Sequence, residues 1–183
     1  MSNSPCPADV PVDVLARAAL VRVAVFDVDG TLTDGRLPYG GNGHDGRQFH
    51  VHDGLGLQSL QRHGIEVALI TARQSQAVAM RAADLGIRHV FQAQADKRAC
   101  LLALLDTLQL QPGEACYVGD DLPDLRPMRV AGLAVAVANA HPWLVAHAHW
   151  QTMRPGGGGA AREVCDLLLQ AQGKAAAELA RWQ

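Results

Sequence analysis

A doubly wound α/β fold, with a parallel sheet covered by helices on both faces, is what this 183-residue chain predicts. Three observations carry that prediction. Short apolar runs rich in β-branched residues alternate with segments of helical periodicity. Glycine punctuates several of these units, at Gly30, Gly64 and Gly86. The strand-then-helix order recurs without a linker or a repeat period, as a parallel sheet with crossover helices requires. The length suits one domain with a substantial core, so residues 1–183 are read as a single unit.

The elements follow in order. Residues 1–11, polar and proline-bearing, predict a loose start. A short helix over 12–19 feeds a strand over 21–27. Turn signals at Asp34-Gly35, Gly40-Gly41-Asn42-Gly43 and Asp45-Gly46 predict a β-hairpin over 34–50 that projects from the sheet. A helix over 54–63 ends at Gly64 before the strand 65–70, and a helix over 74–85 ends at Gly86 before the strand 87–91. The helix over 96–109 turns Leu101, Leu104, Leu105 and Leu108 to one face, which is core. Then come a strand over 115–118, a short helix over 122–130, a strand over 133–137, a helix over 141–146 and a weak strand over 148–152. The C-terminal segment 153–183 opens with Gly156 to Gly159, a flexible turn compatible with phosphate, ahead of an apolar helix over 160–171.

Composition narrows the classes. The chain is 49% hydrophobic and 19% charged, which argues against disorder, and a net charge of −2 shows no footprint for nucleic acid or anionic membrane. No apolar stretch approaches the roughly 20 residues of a membrane span. The N-terminal residues also lack the charged and apolar regions of a signal peptide, so a cytoplasmic location is expected. Cys6, Cys100, Cys116 and Cys165 are scattered without zinc or disulfide spacing and suit a reducing compartment. Only two lysines occur, Lys97 and Lys174, a weak hint that a compact point charge is needed at one of them.

The chemistry collects after the strands. The run Val23-Ala24-Val25-Phe26 stops at Asp27 and Asp29, one residue apart, with Gly30 and Thr31 ending the strand. Carboxylates at the end of a buried strand are costly without a cation or a chemical role. Thr71 follows the second strand, with Ala72 and Arg73 after it; Lys97 opens the helix after the third; Gly119-Asp120-Asp121, then Asp124, follow the fourth. The carboxyl edge of a parallel sheet brings such positions together. The set suffices for phosphoryl transfer through a covalent intermediate: a carboxylate nucleophile, a second carboxylate as acid and base, Mg²⁺ on carboxylates, and a hydroxyl, amides and an ammonium for the phosphate oxygens. Taken alone, Thr71 suits helix capping equally well, Asp120, Asp121 and Asp124 suit an acidic first helical turn, and Asp53-Gly54 suits a cap and turn.

These four ordered motifs resemble the haloacid dehalogenase-like phosphatase superfamily. The resemblance narrows to its 3-deoxy-D-manno-octulosonate 8-phosphate (KDO 8-phosphate) phosphatase branch through Phe49 to Gly56, Val90 to Lys97, Ala138 to Pro142, and Gly156 to Gly159 with the helix after it. It implies a Rossmann-like sheet with no cap domain and a hairpin after the first strand. It implies Asp27 as nucleophile and Asp29 as general acid and base. It also implies Mg²⁺ on Asp27, Asp120 and the backbone carbonyl of Asp29. Thr71, Ala72, Arg73 and Lys97 would hold phosphate or substrate, joined by Asp53 and Gly54, while Asp121 or Asp124 would support the metal site or Lys97. A small-molecule sugar phosphate is the implied partner, in a homotetramer whose subunits cover one another's sites and whose C-terminal segment reaches a neighbour.

The chain departs from that branch at three places. Its second motif reads Thr71-Ala72-Arg73 where Gly is usual, and His52 and Gly158 stand where basic residues are expected. The last two loosen the assignment of the sugar acid, so a related 2-keto-3-deoxy sugar acid phosphate is the alternative substrate. A non-catalytic phosphoacceptor, or a partner module of a sugar nucleotidyltransferase, is the rival class; Asp29 argues against the first, because receiver domains lack that second carboxylate.

Overall fold

The computed structural model describes residues 10–37 and 46–183. Six strands, β1 (Val23–Phe26), β2 (Glu66–Ile70), β3 (His89–Phe91), β4 (Ala115–Gly119), β5 (Leu133–Ala136) and β6 (Trp150–Gln151), form one sheet in the order β3-β2-β1-β4-β5-β6. Every pairing is parallel. The helices are α1 (Val12–Leu20), α2 (Val51–Arg62), α3 (Gln76–Leu85), α4 (Lys97–Leu108), α5 (Leu125–Met128), α6 (Pro142–Val145), α7 (Ala160–Ala171) and α8 (Ala175–Ala180).

Alternation along each strand feeds two cores. Ala24, Phe26, Leu69, Val118 and Val135 face one side, where α1, α2, α3 and α7 contribute Val14, Leu60, Val78 and Val164. Val25, Ala68, Ile70, Tyr117 and Ala134 face the other, against Leu101 and Leu104 of α4, Met128 of α5 and Leu144 of α6. Burial on both faces explains why the strands read as continuous apolar runs. The chain leaves β1 toward β2 and β3, then returns to the other side of β1 with β4. That reversal opens a crevice between the loops after β1 and β4.

Several expectations shift. Val10 and Pro11, placed in the loose start, already belong to the fold: Val10 packs on the core and the Pro11 carbonyl accepts from the Leu15 amide at 3.1 Å. The centre of the expected hairpin, 38–45, lies outside the described residues, and its described flanks carry no strand. α2 starts at Val51 with His50 as N-cap, so Asp53 and Gly54 lie inside its first turns and are not a cap and turn. A 3₁₀ turn at Leu122–Asp124 precedes α5, and α8 is an element the periodicity did not predict. α7 and α8 dock on their own chain: Glu178 of α8 meets Ser59, Arg62 and His63 at the end of α2. No helix among the described residues is long and apolar enough to cross a membrane.

Candidate active site

The carboxyl ends of β1, β2 and β4 surround the crevice. Asp27 follows Phe26 directly, and its amide donates to the Val118 carbonyl at 2.9 Å. The ladder between β1 and β4 thus runs one residue past the strand and fixes where the carboxylate starts. Thr71 succeeds Ile70 and is 2% exposed, with its hydroxyl accepting from the Arg73 amide at 3.3 Å. It does not cap α3, whose N-cap is Ser75. Lys97 is the first residue of α4, and Asp96 caps that helix through the Ala99 amide at 3.0 Å. Its ammonium is buried and lies 2.7 Å from both Asp27 Oδ1 and Asp124 Oδ1.

Asp124 is the anchor of the cluster. Its Oδ1 accepts from Lys97 Nζ at 2.7 Å and from the Tyr117 hydroxyl at 2.9 Å. Its Oδ2 accepts from the amides of Asp120 at 3.1 Å and Asp121 at 3.4 Å. A carboxylate offers about four acceptor sites, and these four donors fill them. Asp121 caps the following turn through the Leu122 amide at 2.8 Å. Asp120 faces Asp27 and accepts from the Thr31 hydroxyl at 3.3 Å. Its carboxylate lies directly against Gly30, whose φ of +92° and lack of a side chain allow that approach.

Charge in this cluster is unbalanced. Burial, then the Asp124 charge, holds the Asp27 carboxyl well above the usual carboxylate range despite Lys97. The same two causes push Asp120 up to about 6. For Lys97, burial favours the neutral amine, but Asp124 and Asp27 outweigh it and raise the ammonium's value. Carboxylate oxygens of Asp27, Asp120 and Asp124 lie within 4.8 Å of one another. One ammonium among three carboxylates leaves an excess of negative charge that a hard divalent cation fits. Because Asp124 is saturated by donors, Asp27 and Asp120 are the side chains with oxygen left for a metal.

Asp29 stands apart from this group. Arg47 grips it with both prongs, Nε to Oδ1 at 2.7 Å and Nη2 to Oδ2 at 3.3 Å, and Arg73 Nε lies 3.8 Å from Oδ2. The Asp29 side chain is thus engaged by Arg47 at the cavity wall, and the metal role that the resemblance implies for this residue falls on its backbone carbonyl, not on the carboxylate.

A cavity of about 330 Å³ joins these groups, with Asp27, Asp29, Thr71, Ala72, Arg73 and Lys97 on its wall together with Asp120, Asp121 and Asp124. Asp53 and Gly54 do not line it. They border a separate small pocket with His50, Leu57 and Arg81, and Asp53 Oδ1 accepts from the Arg162 amide at 2.7 Å. The glycine-rich turn is not an open phosphate cradle either. The Gly156 amide donates to Asn139 Oδ1 at 2.9 Å, Gly157 to the Thr31 carbonyl at 3.1 Å and Gly158 to the Pro155 carbonyl at 3.0 Å. Sequence reasoning missed Arg47 and Tyr117. A tyrosine inside a buried apolar strand is a usable signal, because its hydroxyl needs a partner; Arg47, 18 residues from Asp29, offers none.

A model of the haloacid dehalogenase-like hydrolase family matches residues 54–132. The 3-deoxy-D-manno-octulosonate 8-phosphate phosphatase of Escherichia coli K12 is 46% identical over 94% of this chain and 92% of its own. A hypothetical protein of Xanthomonas campestris has a crystal structure that superposes with a TM-score of 0.96 at 49% identity, covering 100% of both chains. The Moraxella catarrhalis 3-deoxy-D-manno-octulosonate 8-phosphate phosphatase, solved with magnesium, phosphate and KDO, superposes with a TM-score of 0.92 at 41% identity over 93% of this chain and 98% of its own. With the parallel sheet and the Asp27, Lys97 and Asp120 cluster at its carboxyl edge, these likenesses establish that the chain belongs to the haloacid dehalogenase-like hydrolases, within the family of the 3-deoxy-D-manno-octulosonate 8-phosphate phosphatases.

Proposed function

We propose that the chain is a Mg²⁺-dependent phosphomonoesterase that converts KDO 8-phosphate to KDO and phosphate. One observation carries the reading: Asp27, fixed by the sheet ladder, faces the cavity 2.7 Å from Lys97 and next to Asp120. Asp27 attacks phosphorus as the ester P–O bond breaks, forming an aspartyl phosphate, while Asp29 gives a proton to the departing alcohol oxygen. Asp29 then takes a proton from water as the water oxygen attacks phosphorus, which returns Asp27 as a carboxylate and releases phosphate. The Thr71 hydroxyl, the Ala72 amide and the Lys97 ammonium hold the phosphoryl oxygens, with the Arg73 amide donating to Thr71 and steadying it. Asp27, Asp120 and the Asp29 carbonyl would hold Mg²⁺, which would supply positive charge to offset repulsion between the anionic nucleophile and the anionic ester.

The Moraxella relative bound to KDO supports an eight-carbon 2-keto-3-deoxy sugar acid as substrate class, and the half-exposed Arg73 offers a cation at the cavity rim. His52 and Gly158 favour a second substrate reading, a related 2-keto-3-deoxy sugar acid phosphate. The proposal includes a cytoplasmic homotetramer in which neighbouring subunits cover the site; exposed Trp143 and Met153 are apolar groups such an assembly would cover. Phosphate release with Mg²⁺ across a panel of sugar acid phosphates, with Asp27→Asn as control, tests the reading. Selective turnover of KDO 8-phosphate is expected, and no Mg²⁺-dependent release from any member by folded protein would refute it. Sedimentation of the same preparation tests the tetramer.

A further inference from the structure

α7 begins without a side-chain cap of its own, since its N-cap is Gly159 in the left-handed region. The capping group arrives from α2. Asp53, 2% exposed, accepts the Arg162 amide at 2.7 Å across 109 residues of chain. A carboxylate there meets both an unsatisfied helical N–H and the positive end of the helix dipole. Its second oxygen is buried without a hydrogen-bond partner among the described residues. Cap formation is what the side chain supplies: the backbone amides at the start of α7, Arg162 above all, stabilise its charge against the cost of burial.

The strap Gly156-Gly157 leads through Gly158 and Gly159 into the first turn of α7. Gly156 packs so closely on the Gly30 carbonyl that a side chain there has no room, and the Gly157 amide donates to the Thr31 carbonyl at 3.1 Å. Gly30 lies against the Asp120 carboxylate, and the Thr31 hydroxyl donates to it at 3.3 Å. The path from Asp53 to Asp120 thus runs through the cap on Arg162, the few residues of backbone back to the strap, and the strap's contacts with Gly30 and Thr31.

We infer that Asp53 is a positioning residue for the metal site: by capping α7 from α2 it holds the strap against the Gly30–Thr31 turn that orients Asp120. The inference rests on the proposed reading that Asp27 and Asp120 bind a divalent cation. It gives Asp53 a role distinct from substrate contact, consistent with its place outside the cavity.

Full-length Asp53→Ala, Asp53→Asn and Gly156→Ala test it through calorimetric titration with Mg²⁺ alone and amide hydrogen exchange. Outer supports of metal ligands are worth about 10-fold or more in affinity. Asp53→Ala is expected to bind Mg²⁺ about 10-fold more weakly and to exchange faster at residues 30–33 and 156–163. Asp53→Asn keeps an acceptor for the Arg162 amide in a side chain of the same shape, so it should recover most of the affinity. Gly156→Ala, which leaves the cap intact, should weaken Mg²⁺ to a similar degree. Wild-type affinity in Asp53→Ala, whatever its melting temperature, overturns the inference. Should the wild type bind no Mg²⁺, the metal reading fails, and exchange alone decides: loosening of 30–33 in Asp53→Ala supports the relay, and unchanged protection there overturns it.

Discussion

Arg47 holds Asp29 by both carboxylate oxygens, with Nε 2.7 Å from Oδ1 and Nη2 3.3 Å from Oδ2. The guanidinium is only 7% exposed, so water screens the pair weakly. A two-pronged pair fixes the plane of a carboxylate as well as its charge. Removing it leaves the proposed proton carrier free to rotate, and small misplacements of a catalytic group cost on the order of 100-fold in rate. Arg47→Ala is accordingly expected to lower kcat about 10- to 100-fold with a smaller change in KM. Arg47→Lys should recover only part, because an ammonium supplies a point charge without the fork. Steady-state kinetics on both variants check this, and an unchanged kcat in Arg47→Ala would remove Arg47 from the site's working parts.

The acidic cluster predicts how metal and protons compete. Burial and the Asp124 charge push the Asp120 carboxyl up to about 6 from its ordinary 3.8, so between those limits the folded state holds the proton more tightly than the unfolded state. A raised carboxyl value contributes stability at low pH that is lost as pH rises through about 6. Metal-free protein should therefore lose stability across that window, and Mg²⁺ should restore more of it at pH 7.5 than at pH 5. Melting temperatures with and without Mg²⁺ at the two pH values test the sign. A larger Mg²⁺ shift at pH 5 would contradict it.

Lys97 is the buried counter-ion shared by Asp27 and Asp124. Lys97→Ala strands both carboxylates, and breaking a buried pair in this way typically costs about 3–5 kcal/mol. Turnover should vanish with it. Because the cost is that of charge left uncompensated, Lys97→Ala combined with Asp124→Asn should be less destabilised than the two single changes summed. Urea unfolding of the four proteins provides the cycle, and strict additivity would argue against a shared charge network.

Far from the site, Glu178 ties α8 to α2. Its burial alone would raise its carboxyl, but donors from Arg62 at 2.6 Å, Ser59 at 2.8 Å and His63 at 3.0 Å prevail and lower it to about 2 from 4.5. A depressed carboxyl value contributes stability above about 4.5 that is lost as pH falls toward about 2. Glu178→Gln should be less stable than wild type at pH 7, with the gap narrowing below pH 4. Denaturant unfolding at pH 7 and pH 3 measures it.

Legibility in the sequence tracked how local the cause was. The strands were readable because burial on both faces makes each an apolar run, and the Asp27, Thr71, Lys97 and Asp120 positions were readable because parallel strand ends share one edge. The start of α2 was not, since its first two turns show exposed Val51 and two glycines, Gly54 and Gly56, that weaken a helical pattern. Those glycines answer to distant neighbours: a side chain on Gly54 would meet Arg81, and one on Gly56 would meet Cys165. The glycine-rich turn misled for the same reason. Its amides answer to Asn139 and Thr31, and nothing near residues 156–159 in sequence announces either partner.

By itself, then, the order of residues determined the α/β alternation, the family and the groups that stand at the sheet edge, because periodicity and strand ends are properties of short segments. Tertiary structure alone decided how the carboxylates divide their work. Asp124 is saturated by Lys97, Tyr117 and two amides, Asp29 is turned to Arg47, and Asp27 and Asp120 are left open toward the cavity. All are the same chemical group, and only the donors that folding brings to each one distinguish a saturated anchor from a carboxylate still open to the cavity.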